Sequence, residues 1–363
     1  MRVTIVAGAR PNFVKIAPII NQILDAKPKG NSIDYRLVHT GQHYDKKLSG
    51  TFFEELNIPE PHINLEIGSG SQAEQTAGIM IAFEKELLNN PTDLVLVVGD
   101  VTSTMACTIV AKKNQTKVAH VEGGIRSFDQ TMPEEINRMV TDAITDYFYV
   151  TSEVAVNNLK RIGVKEEAIF FVGNTMIDTL IANFSRLKEP QIFKDLSLKK
   201  EKYIVLTMHR PKNVDEESKL KSFLEEIINS SNNFPIIFPV HPRTKNIISK
   251  LNVNFNNLHL TEPLGYLEFN YLVKNSLCVI TDSGGITEET TYMKVPCLTL
   301  RDNTERPETI TQGTNKLVGT NPKKIKASLS IIFDGKWKKG KVPKFWDGKT
   351  AYRIVQHLLT LDI

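Results

Sequence analysis

Cysteine is scarce, net charge is slight, and no apolar run reaches the length of a membrane span. The three cysteines, Cys107, Cys278 and Cys297, lie far apart in apolar stretches. That excludes a disulfide-stapled scaffold and fits reduced thiols buried in a cytoplasmic protein. Lys+Arg 45 against Asp+Glu 41 leaves a formal charge of +4, dispersed along the chain. Such a balance argues against nucleic acid or a membrane surface as partner and leaves room for a small anionic substrate. The opening run Met1 to Gly8 is too short for a signal peptide. No short-period repeat or low-complexity tract points to a solenoid or a disordered linker. Metal ligation also lacks a signature. His120 and Glu122 stand two apart on a strand, but no HExxH or Cys/His cluster supplies further ligands, so no metal is expected.

What is present is alternation. Short apolar runs are followed by segments of helical period, first Val3 to Ala7 and then Phe13, Ile16, Ala17, Ile20, Ile23 and Leu24. Further runs at Leu37 to Thr40, Leu94 to Val98, Val118 to Val121, Tyr147 to Val150 and Ile169 to Val172 predict one parallel sheet with helices on both faces. After the charged stretch Lys188 to Lys202, a second series begins at Tyr203 to Thr207, Pro235 to Val240, Leu258 to Thr261, Cys278 to Thr281 and Cys297 to Leu300. At 363 residues the chain exceeds what one core organises. The reading is therefore α/β, with two Rossmann-like doubly wound domains facing across a deep cleft. The first covers 1–173 plus a returning C-terminal helix in 350–363, and the second covers 174–349.

In such sheets ligands bind beyond the carboxyl ends of the strands. Those positions carry Gly8-Ala9-Arg10-Pro11-Asn12 with Lys15, Gly41-Gln42-His43, Gly99-Asp100, and His120 to Gly124 with Arg126. The second half adds His209-Arg210, His241-Pro242-Arg243, Asp282-Ser283-Gly284-Gly285 with Glu288 and Glu289, and Arg301 to Glu308. Ser283, Gly284 and Gly285 between a strand and a helix suit a diphosphate, because glycine permits close approach and free helix N–H groups point at its oxygens. An ordinary glycine turn explains the tripeptide alone equally well; Glu289, one turn on, adds a carboxylate that can accept from ribose hydroxyls. Arg10, Lys15 and Arg306 are cation candidates for the same diphosphate. Asp100, Glu122 and Glu134 form an acidic set suited to moving protons. The plainer accounts are a helix cap for Asp100, dipole preference for Glu134 after Pro133, and a packed core ring for His209.

These ordered motifs, from Gly8-Ala9-Arg10-Pro11 through His120-Val121-Glu122-Gly123-Gly124-Ile125-Arg126 and Pro133-Glu134-Glu135-Ile136-Asn137-Arg138 to Thr304-Glu305-Arg306-Pro307-Glu308, resemble the non-hydrolysing UDP-N-acetylglucosamine 2-epimerases over nearly the whole chain. The resemblance implies a GT-B-like fold, a homodimer, no cofactor, and interconversion of UDP-GlcNAc with UDP-ManNAc through a 2-acetamidoglucal, for surface polysaccharide. It also implies Asp100, Glu122, Glu134 and His209 as catalytic candidates, with Arg10, Lys15, Ser283, Gly284, Gly285, Glu289 and Arg306 as UDP ligands. Gln42, Arg210 and His241 resemble part of an allosteric set, although Asp45 stands where a glutamine is usual. Asn12 replaces the family's usual glutamate. Rival readings are a 2-epimerase of a modified sugar such as UDP-2,3-diacetamido-glucuronic acid, a GT-B glycosyltransferase, a hydrolysing relative and a non-catalytic sensor. A nicotinamide enzyme is suggested only by the G-x-G-x-x-A spacing of Gly68 to Ala73, away from the first βα turn where that fingerprint belongs.

Overall fold

Strands that are apolar on both faces can be satisfied only between two layers of helix, and all five residues of Leu94–Val98 are buried. The computed structural model describes residues 1–30, 32–41, 53–240, 242–251, 256–319 and 321–363, without the side chains of Arg10, Lys29, Pro211, Lys212, Pro242 and Arg243. Its contacts divide the chain into two units, 1–182 with 344–363, and 183–343.

The first unit is built on β1 (Arg2–Ala7), β2 (Asp34–His39), β3 (Ile63–Asn64), β4 (Leu94–Val98), β5 (Lys117–Val121), β6 (Tyr147–Val150) and β7 (Ile169–Phe171). Their order is β3-β2-β1-β4-β5-β6-β7, and every pairing is parallel. Between them run α1 (Arg10–Ala26), α2 (Gln72–Asn89), α3 (Thr102–Lys113), α4 (Pro133–Ile144) and α5 (Glu153–Arg161), and α6 (Thr175–Asn183) follows β7. The strand order reverses between β1 and β4, so the loops after these two strands diverge and leave room for a ligand. The Gly68 to Ala73 segment has a local explanation. Ser71 caps α2, its Oγ accepting from Glu74 N at 3.2 Å while Glu74 Oε2 accepts from Ser71 N at 2.8 Å.

The second unit contains α7 (Gln191–Asp195), β8 (Ile204–Thr207), α8 (Pro211–Val214), α9 (Glu217–Asn229), β9 (Ile236–Pro239), α10 (Pro242–Lys250), β10 (Leu258–Thr261), α11 (Tyr266–Asn275), β11 (Cys278–Thr281), α12 (Gly284–Met293), β12 (Cys297–Thr299), α13 (Glu308–Thr311), β13 (Asn315–Leu317) and α14 (Pro322–Phe333). Its parallel sheet is ordered β10-β9-β8-β11-β12-β13, with the reversal between β8 and β11. Alternation along the strands serves two cores: Ile204, Leu206 and Ile280 pack on one, Tyr203, Val205 and Val279 on the other. All three cysteines are buried and unbridged. The chain then returns to the first unit with α15 (Thr350–Leu358), which packs on α1 and whose Ala351 N donates to Asp178 Oδ2 at 2.7 Å. No helix among the described residues is long and apolar enough to cross a membrane.

Candidate active site

At the first reversal the chain leaves β1 through Gly8 and Ala9. Both backbone N–H groups donate to Asn12 Oδ1, at 3.1 and 2.9 Å, and Asn12 Nδ2 donates to Val98 O at 3.1 Å. Asn12 therefore joins the ends of β1 and β4. Pro11 within the first turn suits a helix start, where a missing N–H is no loss. One turn along α1, buried Lys15 places Nζ 2.7 Å from Glu122 Oε2.

Glu122 stands just after β5 at φ +73°, a region non-glycine residues seldom occupy, which marks a turn held by its surroundings. Gly99 follows β4 at φ +69°, and a Cβ there would lie 3.2 Å from Lys15 Nζ, 3.4 Å from Asn12 Nδ2 and 3.9 Å from Glu122 Oε2. Lys15, Asn12 and Glu122 thus converge on the residue before Asp100. The Asp100 carboxylate is 27 % exposed and accepts from Arg138, whose Nε is 3.0 Å from Oδ2 and whose second nitrogen also reaches it. Arg138 also bonds Glu135 Oε2 at 2.6 Å. Glu135 in turn accepts from Ser127 N at 2.9 Å and Phe128 N at 3.0 Å, fastening the segment that leads into α4. Glu134, by contrast, is exposed on the first turn of α4.

Beneath these turns lies a buried triple. His120 Nδ1 is 2.7 Å from Asp142 Oδ1 and its Nε2 is 2.8 Å from Gly99 O. Asp142 Oδ2 accepts from Gly124 N at 3.0 Å and from Arg126 at 2.6 Å. Burial works to raise the Asp142 carboxyl, but His120 and Arg126 outweigh it and hold it below the usual range.

The second unit repeats the plan at its own reversal. Asp282, directly after β11, is fully buried and accepts from the backbone N–H of His209 at 3.1 Å and Arg210 at 3.0 Å, from Asn213 Nδ2 at 3.0 Å and from His209 Nδ1 at 2.8 Å. Burial alone would raise its pKa; these donors, His209 first, lower it. The His209 ring is 64 % exposed. Arg210 Nε donates to Asp282 O at 3.2 Å. Asp282 therefore braces the loop after β8 against the start of α12, where the Ser283 hydroxyl makes no cap and Gly284 and Gly285 open the helix. A Cβ on Gly284 would lie 2.8 Å from Glu305 Oε1, and Glu305 is bound by Arg301 at 2.6 Å.

Glu289 is buried within α12, taking Asn270 Nδ2 at 3.3 Å and Tyr266 as partners. Burial pushes its carboxyl up to about 7, against the hydrogen bonds from Tyr266 and Asn270. Arg306 is buried against Glu288, its Nε 2.5 Å from Oε1.

The structure thus links Lys15, Glu122 and Asp100 in one unit, and groups His209, Arg210, Ser283, Gly284 and Gly285 in the other. Gln42, Asp45 and His241 lie outside the described residues, as does the side chain of Arg10. Sequence reasoning missed Glu135, Arg138, Asp142, Asn213, Tyr266 and Asn270 as working groups.

A family model described as UDP-N-acetylglucosamine 2-epimerase matches residues 26–359. A UDP-N-acetylglucosamine 2-epimerase of Methanocaldococcus jannaschii is 43 % identical, covering 99 % of each chain. A UDP-2,3-diacetamido-2,3-dideoxy-D-glucuronate 2-epimerase of Pseudomonas aeruginosa is 34 % identical over 99 % of this chain and 100 % of its own. Among solved structures, the M. jannaschii UDP-GlcNAc 2-epimerase in complex with UDP-GlcNAc and UDP is similar at TM-score 0.87 and 42 % identity, with 99 % of each chain covered.

Proposed function

The chain belongs to the UDP-N-acetylglucosamine 2-epimerase family, and from that membership we propose that it interconverts UDP-GlcNAc and UDP-ManNAc by inverting C2 of the sugar. The observation that carries the reading is the convergence of Lys15, Asn12 and Glu122 on Gly99, beside Asp100, at the reversal of a parallel sheet. A C2 proton without an adjacent carbonyl is weakly acidic, so its removal needs a positioned base and a stabilised leaving group. One carboxylate takes the C2 proton while the C1–O bond to UDP breaks, leaving a C1=C2 double bond. A second acid returns a proton to C2 from the opposite face as UDP adds back to C1. Asp100, Glu122 and Glu134 are the groups assigned to these proton transfers. In this reading UDP is held by the Ser283 to Gly285 backbone with His209 and Arg306, and by Glu289 at the ribose, while Arg10 and Lys15 after β1 are cations proposed for the same ligand class. No redox cofactor enters the balance of the step.

We further read the chain as a cytoplasmic homodimer supplying a surface-polysaccharide precursor, as the family resemblance implies. Proton NMR of UDP-GlcNAc with the enzyme in heavy water tests the reaction. UDP-ManNAc should grow with deuterium at C2. Free ManNAc would indicate hydrolysis instead, and conversion of UDP-2,3-diacetamido-glucuronic acid alone would favour the second reading, which the 34 % relative supports.

The ribose assignment carries a pH dependence. Ribose hydroxyls donating to Glu289 favour its ionised form, so UDP binding lowers a carboxyl pKa that stands at about 7 without ligand. Above that pH the group is already ionised and affinity is full. Below it a proton must leave on binding, and affinity should fall by up to about tenfold per pH unit. Calorimetry with UDP-GlcNAc, whose diphosphate diester has no proton to lose in this range, between about pH 6 and 8 in two buffers should show that proton release, and Glu289→Gln should abolish it. A flat profile in the unaltered protein would remove Glu289 from the ribose site.

A further inference from the structure

His120 lies wholly inside the protein, yet both of its ring nitrogens meet hydrogen-bond acceptors. A carbonyl oxygen such as Gly99 O, 2.8 Å from Nε2, has no proton to give. Asp142, 2.7 Å from Nδ1, takes N–H groups from Gly124 and Arg126 on its other oxygen, as an ionised carboxylate does. A neutral imidazole has one N–H and would leave one of these contacts as lone pair against lone pair. With Asp142 held ionised by the Arg126 guanidinium 2.6 Å from its Oδ2, both contacts are satisfied together only when each nitrogen bears a proton.

We infer that His120 is a buried imidazolium which, paired with Asp142, acts as the positioning device that fixes the spacing of the Asp100 and Glu122 carboxylates. The placement of the tie points supports this. Gly99 immediately precedes Asp100, Gly124 lies two residues beyond Glu122, and His120 lies two residues before it. One side-chain pair from β5 and α4 therefore clamps the turns after both β4 and β5. Those turns need clamping, because Gly99 and Glu122 both stand at positive φ, and Glu122 has no glycine's freedom. The charged groups facing the ring are Asp142 from α4 and Arg126 from the turn; Phe148 of β6 supplies an apolar wall, its Cδ1 2.9 Å from where a Cβ on Gly123 would stand. Buried ion clusters are weak stabilisers compared with apolar packing of the same volume. Their presence here is explained by geometry at the reacting groups. The inference rests on the epimerase reading above, since spacing matters when one carboxylate removes a proton and another returns it to the opposite face.

The test combines spectroscopy with kinetics. In enzyme labelled with nitrogen-15 at histidine, the signals absent from a His120→Gln variant should be two ring nitrogens resonating close together, as in an imidazolium. Signals split far apart, as in a neutral tautomer, would overturn the charge assignment. Asp142→Asn keeps the volume but cannot accept on both oxygens. It should lower kcat by about 10²-fold, the cost of an ångström of misplacement, and leave KM for UDP-GlcNAc unchanged. Unaltered kcat per folded molecule, with only a lower Tm, would overturn the positioning role. If Asp142→Asn does not fold, kcat and KM of His120→Gln decide by the same criterion, and failure of both to fold would assign the pair to folding alone. An imidazolium spectrum in a wild-type protein that leaves UDP-GlcNAc unchanged sinks the epimerase reading instead.

Discussion

Asp100→Asn should lower kcat for epimerisation by about 10²- to 10⁴-fold, the usual contribution of a positioned acid or base. The carboxamide has the same shape and can turn its oxygen toward Arg138, so the contacts from Arg138 Nε at 3.0 Å and from Asn137 Nδ2 to Asp100 O at 2.8 Å have no steric reason to break. What it loses is the capacity to exchange a proton. Deuterium incorporation at C2 should fall with the rate, whereas the Kd for UDP should stay near that of the unaltered enzyme, because the backbone of Ser283 to Gly285 holds the diphosphate in the proposed reading. Glu134→Gln is the informative companion. Glu134 is exposed on α4 and bound into none of the contacts described above, so a comparable loss there would place a second proton-transferring group on that helix. Retained kcat in Asp100→Asn with a lower Tm would reduce Asp100 to an anchor for Arg138.

The two sheets were legible because their strands are apolar on both faces and are separated by helix-period segments. Strands such as Leu94–Val98 and Cys278–Thr281 are buried at every position. What escaped were Ile63–Asn64 and Asn315–Leu317, at the outer edges of the two sheets. Two or three residues are too few to show a period, and Asn64, Asn315 and Lys316 interrupt the apolar signal that marks the inner strands.

Candidate residues directly after strands can be picked out because topology alone says where to look, and Glu134 by its place after Pro133. The buried charged face of α4 cannot, because that helix inverts the ordinary pattern. Ile136 is 50 % and Met139 43 % exposed, while Glu135, Arg138 and Asp142 are buried. A reading by hydrophobic period turns this face the wrong way. The available signal was electrostatic: Glu135, Arg138 and Asp142 fall at i, i+3 and i+7, one stripe of a helix. Charges on one stripe are usually solvated, and here partners from outside the helix, Asp100, His120, Arg126 and the N–H groups of Gly124, Ser127 and Phe128, offset the cost of burial. That information is not local to the helix. Glu289 was found by its place after Gly284 and Gly285, but its neighbours Tyr266 and Asn270 come from α11 and could be known only from the packing of α11 on α12.

Asp282 illustrates the same distinction and leads to the largest expected loss of stability. Within Asp282-Ser283-Gly284-Gly285 the glycines attract notice as a phosphate cradle, whereas the aspartate is the internal brace. Asp282→Ala would leave the N–H groups of His209 and Arg210 and the amide of Asn213 without their shared acceptor. Stability should fall by on the order of 3–5 kcal/mol, as for removal of one member of a buried charged network. The sign of the pH effect follows from its lowered pKa. Stability from Asp282 is fully present above the unfolded value of about 3.9 and is lost as pH falls through the folded value. Denaturation curves of the unaltered protein and of Asp282→Ala should therefore differ most at neutral pH and converge in acid. A constant difference across that range would mean that packing, and not the ionised carboxylate, accounts for the loss. The ligand readout is separate. If the brace sets the N–H groups at the start of α12, UDP should raise Tm less in the variant at equal concentration, because ligand stabilisation follows occupancy. An undiminished UDP shift in a destabilised protein would show that the diphosphate cradle forms without Asp282.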